Sequence, residues 1–103
     1  MTCVADIERF LYGWAPRDLA MGWDNVGLLV GNAATEVHKV LVALDVTEAV
    51  AEEAVEMGAE LILAHHPLMN CAWHKVQHVT ADDAQGRIIT TLLKNGVSAI
   101  CMH

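Results

Sequence analysis

Two consecutive histidines, His65 and His66, follow the apolar segment Leu61–Ala64 and precede a proline. Neutral imidazole binds Zn, Fe, Ni or Cu, and a neighbouring carboxylate widens the choice to Mn or Mg. Adjacent side chains of a regular strand point to opposite faces, so both rings can share one site only where the backbone turns. Pro67 forces the chain out of a strand ladder at this point. The pattern predicts that the pair binds one metal ion, or one each of two neighbouring ions. The alternative is two polar strand-end residues hydrogen-bonded to loops.

Two further candidate ligands follow other apolar segments. Asp45 comes directly after Val40–Leu44, and His103 comes at the end of Val97–Met102. Ligands of open parallel α/β sheets bind at the carboxyl ends of the strands. If these segments are parallel strands, Asp45 and His103 lie at the same edge as the histidine pair, as possible additional ligands.

The remaining histidines and the cysteines give weaker signals. His74 and His78 are four residues apart, but the irregular polar stretch around them and the missing zincin glutamate favour a solvated loop. Cys3, Cys71 and Cys101 are widely spaced and odd in number, which indicates reduced, unreactive thiols and a cytoplasmic protein.

The elements that would position these residues alternate along the chain. Apolar residues at helical spacing are interleaved with short, continuous apolar runs, the pattern of a mostly parallel sheet with flanking helices. In chain order, we predict a helix at Val4–Leu11, a helical turn at 16–20, strands at Val26–Val30 and Val40–Leu44, a helix capped by Thr47 and ended by Gly58, a strand at Leu61–Ala64, a helix starting within Thr80–Asp83 and ending at Lys94, and a strand at Val97–Met102. The run Val40–Leu44 is apolar throughout, which predicts a strand covered on both faces.

Length and composition restrict the class of protein. The 103 residues suit a single α/β domain, and the hydrophobic content of 54% excludes a disordered chain. Six basic against 13 acidic residues give a net charge of −7, which argues against nucleic acid as a partner. No signal peptide or apolar run long enough to span a membrane is visible. The mean hydropathy of +0.35 is high, which favours burial in an oligomer or in a longer protein.

Three ordered segments resemble a known family. They are Trp23–Gly31, Val40–Thr47 and Ala64–Leu68, and the likeness continues through Gly86-Arg87 and Asn95–Val97. They are similar to the Nif-three-like family, whose members are often named type 2 homologs of GTP cyclohydrolase I. The likeness covers nearly the whole chain, but residues 69–74 depart from the usual family pattern.

The resemblance implies an α/β fold, two divalent metal ions per subunit (Zn, Fe, Mn or Ni) and a ring-shaped homo-hexamer. The paired histidines of the family each bind one metal and fall on His65 and His66. A bridging aspartate follows the histidine matched by His103, and a further His and Glu come much later. We therefore expect an N-terminal portion with an incomplete metal site, truncated at the C-terminus.

The activity implied is that of a metal-dependent hydrolase acting on a small molecule and resembling GTP cyclohydrolase. The alternative is a non-enzymatic metal-binding or interaction protein that forms a homo-oligomeric ring.

Overall fold

The computed structural model describes residues 1–16, 23–71 and 75–103. Its elements are α1 (Val4–Trp14), β1 (Gly27–Val30), β2 (Val40–Ala43), α2 (Glu48–Met57), β3 (Leu61–Ala64), α3 (Ala84–Lys94) and β4 (Ser98–Cys101). The helical turn predicted at 16–20 lies, except for Pro16, outside the described residues. None of the helices in the described part of the chain has the length and apolarity needed to cross a bilayer.

The four strands form one sheet in the order β1-β4-β3-β2. β2, β3 and β4 are parallel to one another, whereas β1 pairs antiparallel with β4. The predicted α/β class with a mostly parallel sheet is therefore confirmed. Because the parallel strands share a direction, the residues that follow β2, β3 and β4 all emerge at one edge of the sheet.

The ends of α2 and α3 are set by the residues around them. The Thr47 hydroxyl accepts a hydrogen bond from the Val50 N–H at 3.1 Å, and Gly58 ends α2 in the left-handed region with φ of 72°. At the start of α3, the Asp83 carboxylate accepts from the Gly86 N–H at 2.6 Å. The predicted cap and stop of α2 are confirmed, and Asp83 is the residue that caps α3.

The helices cover the two faces of the sheet in separate layers. α2 and α3 pack on one face through Ala54, Ile89 and Leu92, against residues such as Ile62 and Ala99. On the opposite face lies a smaller cluster, formed by Val4 of α1 with Leu61 and Ile100 and joined by partly buried Ile7 and Leu11. β3 and β4 are thus buried on both sides, as their apolar sequences predict.

The segment Val40–Leu44 does supply a strand, but the prediction that this strand is covered on both faces is wrong. β2 is an edge strand, and its side chains alternate between exposed and partly buried. Val42 is 71% exposed and Leu44 60% exposed, because the buried contacts of α1 are with β3 and β4 rather than with β2. The apolar run correctly identifies a strand, but it does not identify what covers it.

Candidate metal centre

Three histidines meet at the carboxyl edge of the parallel strands. His65 and His66 follow β3, and His103 follows β4. One ring nitrogen from each of the three lies within 4.8 Å of the others. The topology thus brings together the residues that the sequence placed at this edge.

The backbone at the histidine pair departs from a regular strand. The His65 N–H donates to the Ala43 carbonyl at 3.2 Å, and the next N–H, that of His66, donates to the Leu44 carbonyl at 3.0 Å. Consecutive N–H groups of a regular strand point to opposite neighbours, but here both point to the β2 side. The chain therefore turns between the two residues, and this turn lets both imidazoles reach one site.

The spacing of the rings suits a metal site in its ion-free form. The ring centroids of His65 and His66 are 5.0 Å apart, and His103 lies 4.8 Å from His65 and 5.4 Å from His66. Nitrogen ligands about 2.0–2.1 Å from a tetrahedral ion lie roughly 3.4 Å from each other. Small side-chain movements would close the three nitrogens on one ion, and their present spread also suits two adjacent ions. The donor set of three imidazoles therefore fits a divalent transition metal.

Asp45 lies beside the cluster as a partner of one histidine. Its Oδ1 is 2.8 Å from Nδ1 of His66, and both side chains are substantially exposed. A carboxylate that accepts from Nδ1 leaves Nε2 of the ring available to a metal. Asp45 is thus placed to orient a ligand, whereas the sequence offered it as a possible ligand.

A second carboxylate, Asp24, was assigned no role by the sequence analysis. Its Oδ2 lies 2.5 Å from Nδ1 of His103, and its side chain is only 1% exposed. Trp23 packs edge-on against the same imidazole, with 5.4 Å between ring centroids. These residues precede β1, and Gly27 of β1 lies opposite Cys101 of β4. The segment Trp23–Gly31, which carries part of the family resemblance, contains Asp24 but does not show that β1 runs antiparallel to β4.

Neither His74 nor His78 is among the ligands that the described part of the chain brings to this cluster. His78 is exposed and lines a different cavity, of about 660 Å³, together with Asp83 and Gln85. His74, like Trp73 beside it, lies outside the described residues.

An apolar cavity adjoins the cluster on the α1 side of the sheet. It has a volume of about 280 Å³ and is lined by His65 together with apolar residues that include Trp14, Val42, Leu63 and Met102. A planar or apolar part of a small molecule could occupy this space while its polar end faces the histidines.

The cysteines near the site are unsuited to metal or nucleophilic chemistry. Cys71 and Cys101 are fully buried, and all three cysteines are free. Burial, assisted by the nearby charge of Asp24, raises the pKa of the Cys101 thiol to about 11. A protonated thiol is neither a good nucleophile nor a metal ligand.

We therefore expect a thiol reagent such as Ellman's reagent to label only Cys3 rapidly in the folded protein, because Cys3 alone is partly exposed. All three cysteines should react after denaturation. The matched control is Cys3→Ser, which should abolish the fast phase. Rapid labelling of Cys71 or Cys101 under native conditions would contradict the buried positions.

The chain matches one family along almost its whole length. The model of the Duf34/NIF3 (NGG1p interacting factor 3) family matches residues 2–103. A relative from Clostridium perfringens, named GTP cyclohydrolase 1 type 2 homolog, is 46% identical over 98 residues, which is 95% of this chain and 36% of that protein.

Solved structures give the same result. The Staphylococcus aureus protein SA1388 is 39% identical with a TM-score of 0.91, over 99% of this chain and 28% of that one. A Bacillus cereus protein related to NIF3 is 36% identical with a TM-score of 0.89, over 99% of this chain and 27% of that one. The chain thus spans about a quarter to two fifths of the length of the proteins it matches.

Proposed function

Because the chain belongs to the Duf34/NIF3 family, we propose that His65, His66 and His103 contribute to a divalent metal centre of a metal-dependent hydrolase. The observation that carries the proposal is the convergence of three imidazole nitrogens within 4.8 Å at one edge of the sheet. In open α/β folds, ligands bind at the carboxyl ends of the parallel strands, which is where these three histidines lie.

The residues of the chain have distinct roles in this proposal. His65 and His66 bind the ions, with His103 at the same centre, and Asp45 orients His66 through the 2.8 Å contact at Nδ1. When bound, the metal would polarise the substrate and make water nucleophilic near neutral pH. Two ions are proposed, drawn from Zn, Fe, Mn or Ni, and the further ligands would come from a longer protein.

The proposed substrate is a small molecule, with GTP as the first candidate. This candidate rests on the name of the Clostridium perfringens relative, GTP cyclohydrolase 1 type 2 homolog. The chain carries a net charge of −7, so bound cations would be needed to offset the charge of a triphosphate. The 280 Å³ cavity beside His65 offers an apolar surface for a planar ring. We propose the cytoplasm as its compartment, because all three cysteines are free.

Metal titration tests the site. After removal of metal with a chelator, the full-length protein should bind Zn²⁺ or Co²⁺ in a calorimetric titration. His65→Ala and His66→Ala should each weaken binding by at least about tenfold, because each removes a ligand. His78→Ala is the matched control, since it removes an exposed histidine outside the cluster. Equal affinity in all four proteins would refute the metal site.

The hydrolase activity needs a separate assay on the full-length protein. Metal-loaded protein should hydrolyse at least one member of a panel containing GTP, other nucleotides, phosphoesters and cyclic amides. Loss of turnover after chelation, with recovery after metal is restored, would tie the activity to the centre. A metal-loaded protein that turns over none of the panel would contradict the hydrolase proposal.

The second candidate is a non-enzymatic protein that acts through a homo-oligomeric ring, for which we propose a hexamer. Exposed apolar side chains of α1, of β2 and of the residue that follows β2 favour it, because an apolar surface of this kind is common at protein interfaces. They are Phe10, Trp14, Val42 and Leu44. A metal-loaded hexamer without turnover would support this candidate over the hydrolase.

A further inference from the structure

A buried carboxylate contacts one of the three clustered histidines. The Asp24 side chain is 1% exposed, and its Oδ2 contacts Nδ1 of His103 at 2.5 Å. Its other oxygen, Oδ1, accepts a hydrogen bond from the Asn25 N–H at 2.9 Å. Burying a carboxylate is costly unless it is well hydrogen-bonded, so this arrangement needs both contacts.

The contact bears on which ring nitrogen of His103 carries the proton, since the roles of donor and acceptor at Nδ1 depend on the tautomer. An ionised carboxylate has only acceptor sites, so Nδ1 of His103 must be the donor. A neutral imidazole has one N–H, and Nε2 therefore keeps a free electron pair. Only a nitrogen with a free pair can bind a metal, which makes Nε2 the ligand atom.

The surroundings of His103 also fix the orientation of its ring. Trp23 packs edge-on at 5.4 Å, and the His65 ring lies at 4.8 Å on the cluster side. The His103 side chain is 26% exposed, and that of its partner Asp24 is 1% exposed. The comparable pair of Asp45 and His66 is much more exposed, at 54% and 40%. The Asp24 contact is therefore the better protected of the two.

We propose that Asp24 is a positioning residue that acts through His103, holding this imidazole in the tautomer and orientation that present Nε2 to the metal cluster. The inference rests on the proposed function for its metal, but the hold on the tautomer exists without the ion. If Asp24 served only to accept the hydrogen bond from the Asn25 N–H, its replacement would leave the tautomer of His103 unchanged.

The first test is the tautomer of His103 in the metal-free protein. Two-bond ¹H–¹⁵N correlation spectra, recorded where the imidazoles are neutral, distinguish a protonated Nδ1 from a protonated Nε2. Wild-type His103 should carry its proton on Nδ1. A proton on Nε2 of the wild-type ring would overturn the inference, and this measurement needs no variant to fold.

The second test is Asp24→Asn, which keeps an oxygen for the Asn25 N–H but presents an amide donor to His103. The proton of His103 should move to Nε2, and the affinity for Zn²⁺ should fall by about 10- to 100-fold. Asp82→Asn is the matched control: it makes the same change at an exposed carboxylate outside the three-histidine cluster, so the Zn²⁺ affinity should be unchanged. Circular dichroism establishes that both variants are folded.

The outcomes separate the two proposals. A folded Asp24→Asn protein with an unchanged tautomer and an unchanged Zn²⁺ affinity would overturn the role of Asp24. A full-length wild-type protein that binds no Zn²⁺, yet shows the Nδ1 tautomer lost in Asp24→Asn, would refute the metal site while supporting the hold of Asp24 on His103.

Discussion

Gly86→Ala is expected to destabilise the protein by about 2–3 kcal/mol, the cost of forcing an extra methyl group into a packed interior. Gly86 is buried in the first turn of α3. A Cβ at this position would lie 1.9 Å from the Thr80 carbonyl oxygen and 2.6 Å from the Thr80 nitrogen. Both are backbone atoms, so the segment before α3 would have to move as a whole. The displacement would also disturb the 2.6 Å hydrogen bond from the Gly86 N–H to Asp83. Urea denaturation followed by circular dichroism measures the effect.

Gly13→Ala is the matched control for that substitution. Gly13 lies in α1, and a Cβ there would meet no atom within 4 Å. Alanine is the better helix former by about 0.5–1 kcal/mol, so this variant should be unchanged or slightly more stable. If Gly13→Ala and Gly86→Ala lost the same stability, the close approach of Thr80 to α3 could not explain the loss in Gly86→Ala.

Ile100→Ala should cost about 3 kcal/mol, within the usual range for removing a large aliphatic side chain from a core. Ile100 has no exposed surface and packs with Val4 and Leu61, the small cluster between α1 and the sheet. The exact cost depends on how far the surrounding side chains can move into the space left by the deleted atoms. The loss is measured as a lower urea midpoint with an unchanged denaturant slope.

Val42→Ala provides the comparison on the same face of the sheet. Val42 is paired with Leu63 in the parallel ladder but is 71% exposed. Its truncation should cost under about 1 kcal/mol, mostly through the lower strand preference of alanine. A cost equal to that of Ile100→Ala would mean that β2 is covered in solution, which would favour the oligomeric candidate.

The local elements could be predicted because each carries its own signals. Thr47 and Gly58 begin and end α2 through contacts within a few residues, so no tertiary information was needed. The buried strands β3 and β4 also appear directly as apolar runs. What covers a strand depends on distant residues, and for this reason the exposed face of β2 was missed.

The residues of the candidate site also fall into some that the sequence could place and one that it could not. His65, His66, Asp45 and His103 could be placed at one edge because parallel strands share a carboxyl end. Asp24 could not, since its contact depends on β1 running antiparallel beside β4. Neither the direction of β1 nor its neighbour is encoded in the short segment Val26–Val30.

The contact between Asp24 and His103 joins residues 79 positions apart in the chain. Closing this loop has an entropic cost, and non-local contacts of this kind are associated with slow folding. β4 must also insert between β1 and β3 before His103 reaches its place. During synthesis, the contact between Asp24 and His103 can therefore form only after His103 has left the ribosome. Binding of one ion by all three histidines would require β3 and β4 to be paired.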